Sequence, residues 1–96
     1  MSDILEIARF KFVDGANAAQ SAGAIDAWLA AQPGFVSRVM VGPDADGYYT
    51  DLVRWQGAEP AQQAMAAMAQ SVEAADFMRV VDPSSVQMSH VPVLVG

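Results

Sequence analysis

The chain has 96 residues, a formal net charge of −6 and no cysteine, and 53% of it is hydrophobic. That length makes one domain burying somewhat over ~60% of its unfolded surface, so the hydrophobic excess predicts a second covered face, most simply a dimer interface. With 5 basic residues against 11 acidic ones and no basic cluster, nucleic acid and anionic membranes are excluded as expected partners; the lack of cysteine excludes disulfides, thiol catalysis and thiolate metal sites and fits the cytoplasm.

The opening "MSDILEIARF" has no basic n-region and enters a strand pattern at once, so it does not read as a signal peptide. No apolar run approaches the ~18 residues that span a bilayer. Residues 4–13, "ILEIARFKFV", predict a first strand. Both of its faces are largely apolar, as in a strand covered on both sides. "DGAN" at 14–17 is turn chemistry, and Asn17 is a candidate N-cap for a helix reaching about Gln32, with Ala18, Ala22, Ile25 and Leu29 at helical spacing and Trp28 beside them. "PG" at 33–34 stops that helix. "FVSRVMV", 35–41, predicts strand two, "GPDADG", 42–47, a hairpin loop closed by Gly47, and "YYTDLVRW", 48–55, strand three.

A second helix begins around Glu59-Pro60 with an apolar stripe of Ala61, Ala64, Met65 and Met68. Ser71 is a candidate cap for a further helix over 72–81. "DPSS", 82–85, is a turn, and "VQMSHVPVLV", 86–95, predicts the last strand, with Pro92 near its end because proline donates no ladder hydrogen bond. The order β-α-β-β-α-β predicts an α+β, ferredoxin-like fold: a four-stranded antiparallel sheet ordered 4-1-3-2 with the helices on one face.

Nearly the whole chain resembles the antibiotic-biosynthesis-monooxygenase-like proteins of the dimeric α+β barrel superfamily. The resemblance rests on "LEIARFKFVDG", on "QPGFVSRVMVGPDADGYYTDLVRW", and on a helix starting just after that tryptophan. It implies a homodimer in which two sheets meet face to face. It also implies a cofactor-independent monooxygenase, or related small-molecule enzyme, acting on an apolar or aromatic substrate between sheet and helices. The heme-degrading branch of the superfamily uses an asparagine on strand one, the tryptophan closing strand three and a histidine after the second helix. Here those positions hold Ala8, Trp55 and the neighbourhood of Val81, so heme cleavage is not expected.

If Trp55 faces the helices, strand parity turns Val53, Asp51 and Tyr49 the same way, with the Ala8 face of strand one carrying Glu6 and the Met88 face of strand four carrying His90. Glu6, Tyr49, Asp51, Trp55 and His90 are then expected around one cavity. There His90 is the candidate acid–base group, Asp51 or Glu6 its orienting carboxylate, Trp55 and Tyr49 the stacking surfaces, and Met65 and Met88 its adaptable apolar wall. Glu6, Asp51 and His90 are acceptable metal-ligand types, but no spacing motif supports a metal and none is expected. Arg9, Lys11 and Arg54 fall on the opposite face with Arg38 expected to join them, pairing with acidic residues across strands or subunits. The alternative reading is a small-ligand-binding or structural homodimer without catalysis.

Overall fold

A computed structural model describes residues 2–96. In chain order it contains β1 (Ile4–Phe10), α1 (Ala18–Ala24), α2 (Asp26–Ala30), β2 (Phe35–Val41), β3 (Tyr49–Trp55), α3 (Ala58–Met68), α4 (Val72–Met78) and β4 (Gln87–Pro92). The four strands form one antiparallel sheet in the order β2-β3-β1-β4, the ferredoxin-like order. Along β1 and β3 burial alternates strictly: Glu6, Ala8 and Phe10, and Asp51, Val53 and Trp55, are buried, while the residues between them are half-buried. Ile25, Leu29, Ala61, Ala64, Ala74 and Phe77 from the helices close over the buried face. Alanines at the crossing points let helix backbones approach the sheet closely enough to cover Val53 and Trp55. Among the described residues no helix is long and apolar enough to cross a membrane.

The elements depart from expectation at their ends, each for a local reason. The first strand stops at Phe10 because the next residues bond elsewhere. Lys11 N–H donates to Ser85 Oγ at 2.8 Å, Asp82 N–H to Lys11 O at 2.9 Å, and Val13 N–H to Val80 O at 2.8 Å. The helix expected over 17–32 is two short helices meeting at Ile25, the C-cap of one and the N-cap of the next. Gly23, one residue before α1 ends, weakens its last turn. Asn17 and Ser71 cap as their side chains suggest, accepting from Gln20 N–H and Ala74 N–H. The last strand ends at Pro92, where the ladder loses its donor.

One difference changes the chemistry. β2 carries a bulge between Phe35 and Ser37: Phe35 opposes Trp55, but Ser37 already opposes Arg54. One extra residue reverses the alternation of everything after it. Arg38, opposite Val53, therefore faces the helices and not, as expected, the outer face with Arg9 and Arg54. Those two pair within the chain: Arg9 with Asp44 at 3.0 Å and Arg54 with Asp3 at 2.7 Å. Asp44 also accepts from the N–H groups of Tyr48 and Asp46. The Tyr48 N–H and then the Arg9 guanidinium hold its carboxyl below the ordinary aspartate range.

Gly34 positions the helix that follows β3. Its φ is +81°, and a Cβ there would lie 2.4 Å from Pro60 Cβ in the first turn of α3. Its carbonyl also accepts from Gln56 N–H at 2.8 Å. Gly34→Ala is expected to cost about 1–3 kcal/mol from backbone strain before the clash is counted. Urea unfolding measures it, and a loss below about 0.5 kcal/mol, the scatter of ordinary surface changes, would show that α3 does not press on Gly34.

Candidate functional site

The antiparallel register of β1 and β4 sets Glu6 directly opposite His90. Directly opposed residues share a face, and the two side chains meet: His90 Nε2 lies 3.2 Å from Glu6 Oε1. Glu6 is 8% exposed, while the His90 side chain keeps 30% of its surface in solvent. An ionised carboxylate only accepts hydrogen bonds, so its contact assigns the proton of a neutral His90 ring to Nε2 and leaves the lone pair on Nδ1. The pair thus has an anchored nitrogen and a basic one.

His90 lines a cleft of about 350 Å³ together with Ile4, Ala58, Ala61, Gln62 and Met65. Glu6 lines a different space, an inner cavity of about 70 Å³ whose wall also holds Ala8, Phe10, Asp51, Phe77 and Met88. The Glu6–His90 contact therefore joins an outer apolar cleft under α3 to an inner cavity under α4.

Asp51 is held from the other side. Arg38 donates to both of its carboxylate oxygens, Nε to Oδ1 at 3.0 Å and Nη2 to Oδ2 at 2.9 Å. Arg38 Nη1 donates to Ala22 O, in the last turn of α1, at 2.7 Å and reaches Asp26 Oδ1 at 3.5 Å. Its side chain is only 4% exposed. Burial by itself disfavours the charged guanidinium, but hydrogen bonds and charge from Asp51, and then Asp26, outweigh it and hold Arg38 above the ordinary arginine value. Two-pronged pairing of this kind is the geometry for which guanidinium is suited.

The single cavity expected from parity is therefore divided. Glu6, Asp51 and Met88 line the inner cavity, and His90 and Met65 the outer cleft. Tyr49 lines neither; it packs edge-on against Phe12 at 4.9 Å and borders a separate cleft beside α1. Trp55 is 1% exposed and stacks edge-to-face on Phe35 at 5.9 Å. It is a core residue here and presents no face to a ligand. Its indole N–H finds no acceptor among the described residues, a cost of about 1–3 kcal/mol. Burying the 150–250 Å² of a tryptophan stabilises by about 4–6 kcal/mol, so burial wins. Asp51 does not orient His90, because its carboxylate is committed to Arg38. Arg38 is the residue that strand parity alone misplaces; "FVSRVMV" reads as a regular strand and carries no glycine or proline to mark the bulge. Among the described residues no three histidine, aspartate or glutamate side chains are grouped as a metal would require.

This topology defines a class of small α+β domain, and comparison with solved structures finds the same fold in several proteins. SnoaB from Streptomyces nogalater, described as a cofactor-independent oxygenase, matches in a mutant form over 100% of this chain and 97% of its own, with 16% identity and a TM-score of 0.76. A second structure of SnoaB matches with 21% identity and a TM-score of 0.70, over 100% and 95% of the two chains. A putative antibiotic biosynthesis monooxygenase from Bordetella bronchiseptica matches over 99% of this chain and 100% of its own, with 18% identity and a TM-score of 0.74. The chain thus has the fold of the antibiotic-biosynthesis-monooxygenase-like proteins. No protein-family model and no curated protein matches it by sequence.

Proposed function

We propose that the protein is a homodimeric, cofactor-independent monooxygenase or a closely related small-molecule enzyme, acting on an apolar or aromatic substrate between sheet and helices. The observation that carries this reading is the Glu6–His90 contact at the edge of an apolar cleft. A substrate in the cleft lies against Ile4, Ala61 and Met65, surfaces that bind apolar rings without directional demands. Nδ1 of His90 takes a proton from its acidic hydroxyl or activated C–H, and Glu6 stabilises the imidazolium that results. A deprotonated, electron-rich aromatic can itself reduce dioxygen, which is why such chemistry needs no separate redox group. The cysteine-free composition suits a cytoplasmic setting. The test is oxygen uptake across a panel of hydroxyaromatics and quinols without added flavin or metal. Neither turnover nor binding anywhere in the panel would defeat the enzyme reading.

Dimerisation is proposed through the outer face of the sheet. Val39, Val41 and Val91 are exposed there, and Leu5, Ile7 and Leu52 lie half-buried among them. An apolar sheet face of that kind is seldom left to solvent. The same face would serve the alternative, a non-catalytic ligand-binding or structural dimer. Light scattering at micromolar concentration is expected to give twice the chain mass, and a monomer would remove the sheet-to-sheet arrangement from both readings.

A further inference from the structure

The inner cavity is apolar on its sides and acidic on its floor. Phe10, Phe77, Met78 and Met88 form walls, while Glu6 and Asp51 reach it from β1 and β3. Both acids are buried, at 8% and 9% exposure. Their charges are unequally compensated. Asp51 is matched by the two-pronged Arg38 contact. Glu6 contacts only the histidine, through Oε1, and its Oε2 has no hydrogen-bond partner among the described residues. Among the described residues no lysine or arginine pairs with Glu6. A largely buried carboxylate with one oxygen lacking a protein donor favours any group that brings a positive charge and a donor.

We propose that this cavity binds the ammonium head of an alkyl- or arylalkyl-amine. The head would donate to Glu6 Oε2 as a charge-assisted hydrogen bond. The phenyl rings of Phe10 and Phe77, 5.9 Å apart and edge-to-face, supply the aromatic surroundings that favour organic cations. The cavity is small, about 70 Å³, so it admits a compact head group and leaves the body of the ligand outside. The body must leave through a mouth, and Met78, Val86 and Met88 line the cavity while standing exposed at the α4–β4 edge. Methionine sulfurs and methylenes there fit an apolar chain of variable shape. A bare metal cation is a poor occupant, because thioether and phenyl walls do not replace its hydration shell.

This site adjoins the catalytic pair proposed above and rests on the same Glu6, but it concerns binding alone and requires no turnover. The test compares hexylamine, hexanol and hexanoate, which share one chain and differ in head group, by calorimetric titration of the full protein. Methyl NMR shifts of Met78 and Met88 report the location. Hexylamine is expected to bind at least tenfold more tightly than hexanol, with hexanoate not binding. Glu6→Gln, nearly isosteric, is expected to bring amine and alcohol to within about twofold. Asp46→Asn on the exposed hairpin keeps the full preference, which separates the cavity from the general acidity of the surface. Equal binding of amine and alcohol to the unaltered protein, or an amine preference that survives Glu6→Gln, would overturn the proposal. An amine preference that persists in His90→Ala while turnover is lost leaves this site standing and separates it from the proton transfer; turnover without any amine preference does the reverse.

Discussion

Arg38→Met is expected to destabilise the protein by about 3–5 kcal/mol, the cost of leaving one partner of a buried ion pair alone. Asp51 would lose both of its side-chain donors at once, with a side chain only 12% exposed and therefore little water to replace them. The carbonyl of Ala22 and the Asp26 carboxylate would also lose Arg38 Nη1, which ties the first helical pair to β2. Methionine refills most of the volume, so the loss measures charge and hydrogen bonding more than a cavity. The double variant Arg38→Met/Asp51→Leu is the decisive comparison. It removes both charges and is expected to recover most of the loss, because an apolar pair spares the desolvation of both ions. Urea unfolding with unchanged slope gives the numbers. A single-variant loss below about 1 kcal/mol, the worth of a surface ion pair, would mean that the pair is wet and does not fix the helices to the sheet.

Arg38 also marks where sequence stops being informative. Alternation along "ILEIARF" and "YTDLVRW" assigns every residue of β1 and β3 to its face, because both strands run without interruption. The same rule brings Glu6 and His90 together, since β1 and β4 pair in unbroken register. It fails on β2, where the extra residue near Val36 comes with no compositional sign and turns Arg38 inward. Parity also says which face a side chain takes but not how helix residues divide the space above it. Phe77 and Met68 bound one compartment, Ala61 and Met65 another. Asp51 and His90, both inward, thereby fall in different places. Trp55 is the plainest motif in the sequence, yet the structure buries it in the core. A large apolar ring at the end of a central strand, under a helix that begins three residues later, is what the core requires.

The second large effect is expected at His90. On any substrate that turns over, His90→Ala should lower kcat by about 10²–10⁴-fold, the range for loss of a general acid–base group. Glu6 acts through the imidazole and is a positioning residue for this step, so Glu6→Gln should give a smaller loss. A glutamine can still meet Nε2, but it lacks the charge that stabilises an imidazolium. The two roles separate in a measurement that needs no substrate. Ring ¹⁵N shifts of His90 are expected to show the Nε2–H tautomer in the unaltered protein, because Nε2 lies 3.2 Å from Glu6 Oε1 and a carboxylate can only accept. In Glu6→Gln the amide can either accept from or donate to that nitrogen, so the Nδ1–H tautomer should become populated. Asp46→Asn, on the far hairpin, should change neither rate nor tautomer. Unaltered kcat in His90→Ala would remove the histidine from the reaction. A His90 ring found with Nδ1–H in the unaltered protein would remove Glu6 as its anchor, because the Nε2 lone pair would then face the carboxylate and Nδ1, already protonated, could take no proton from the substrate.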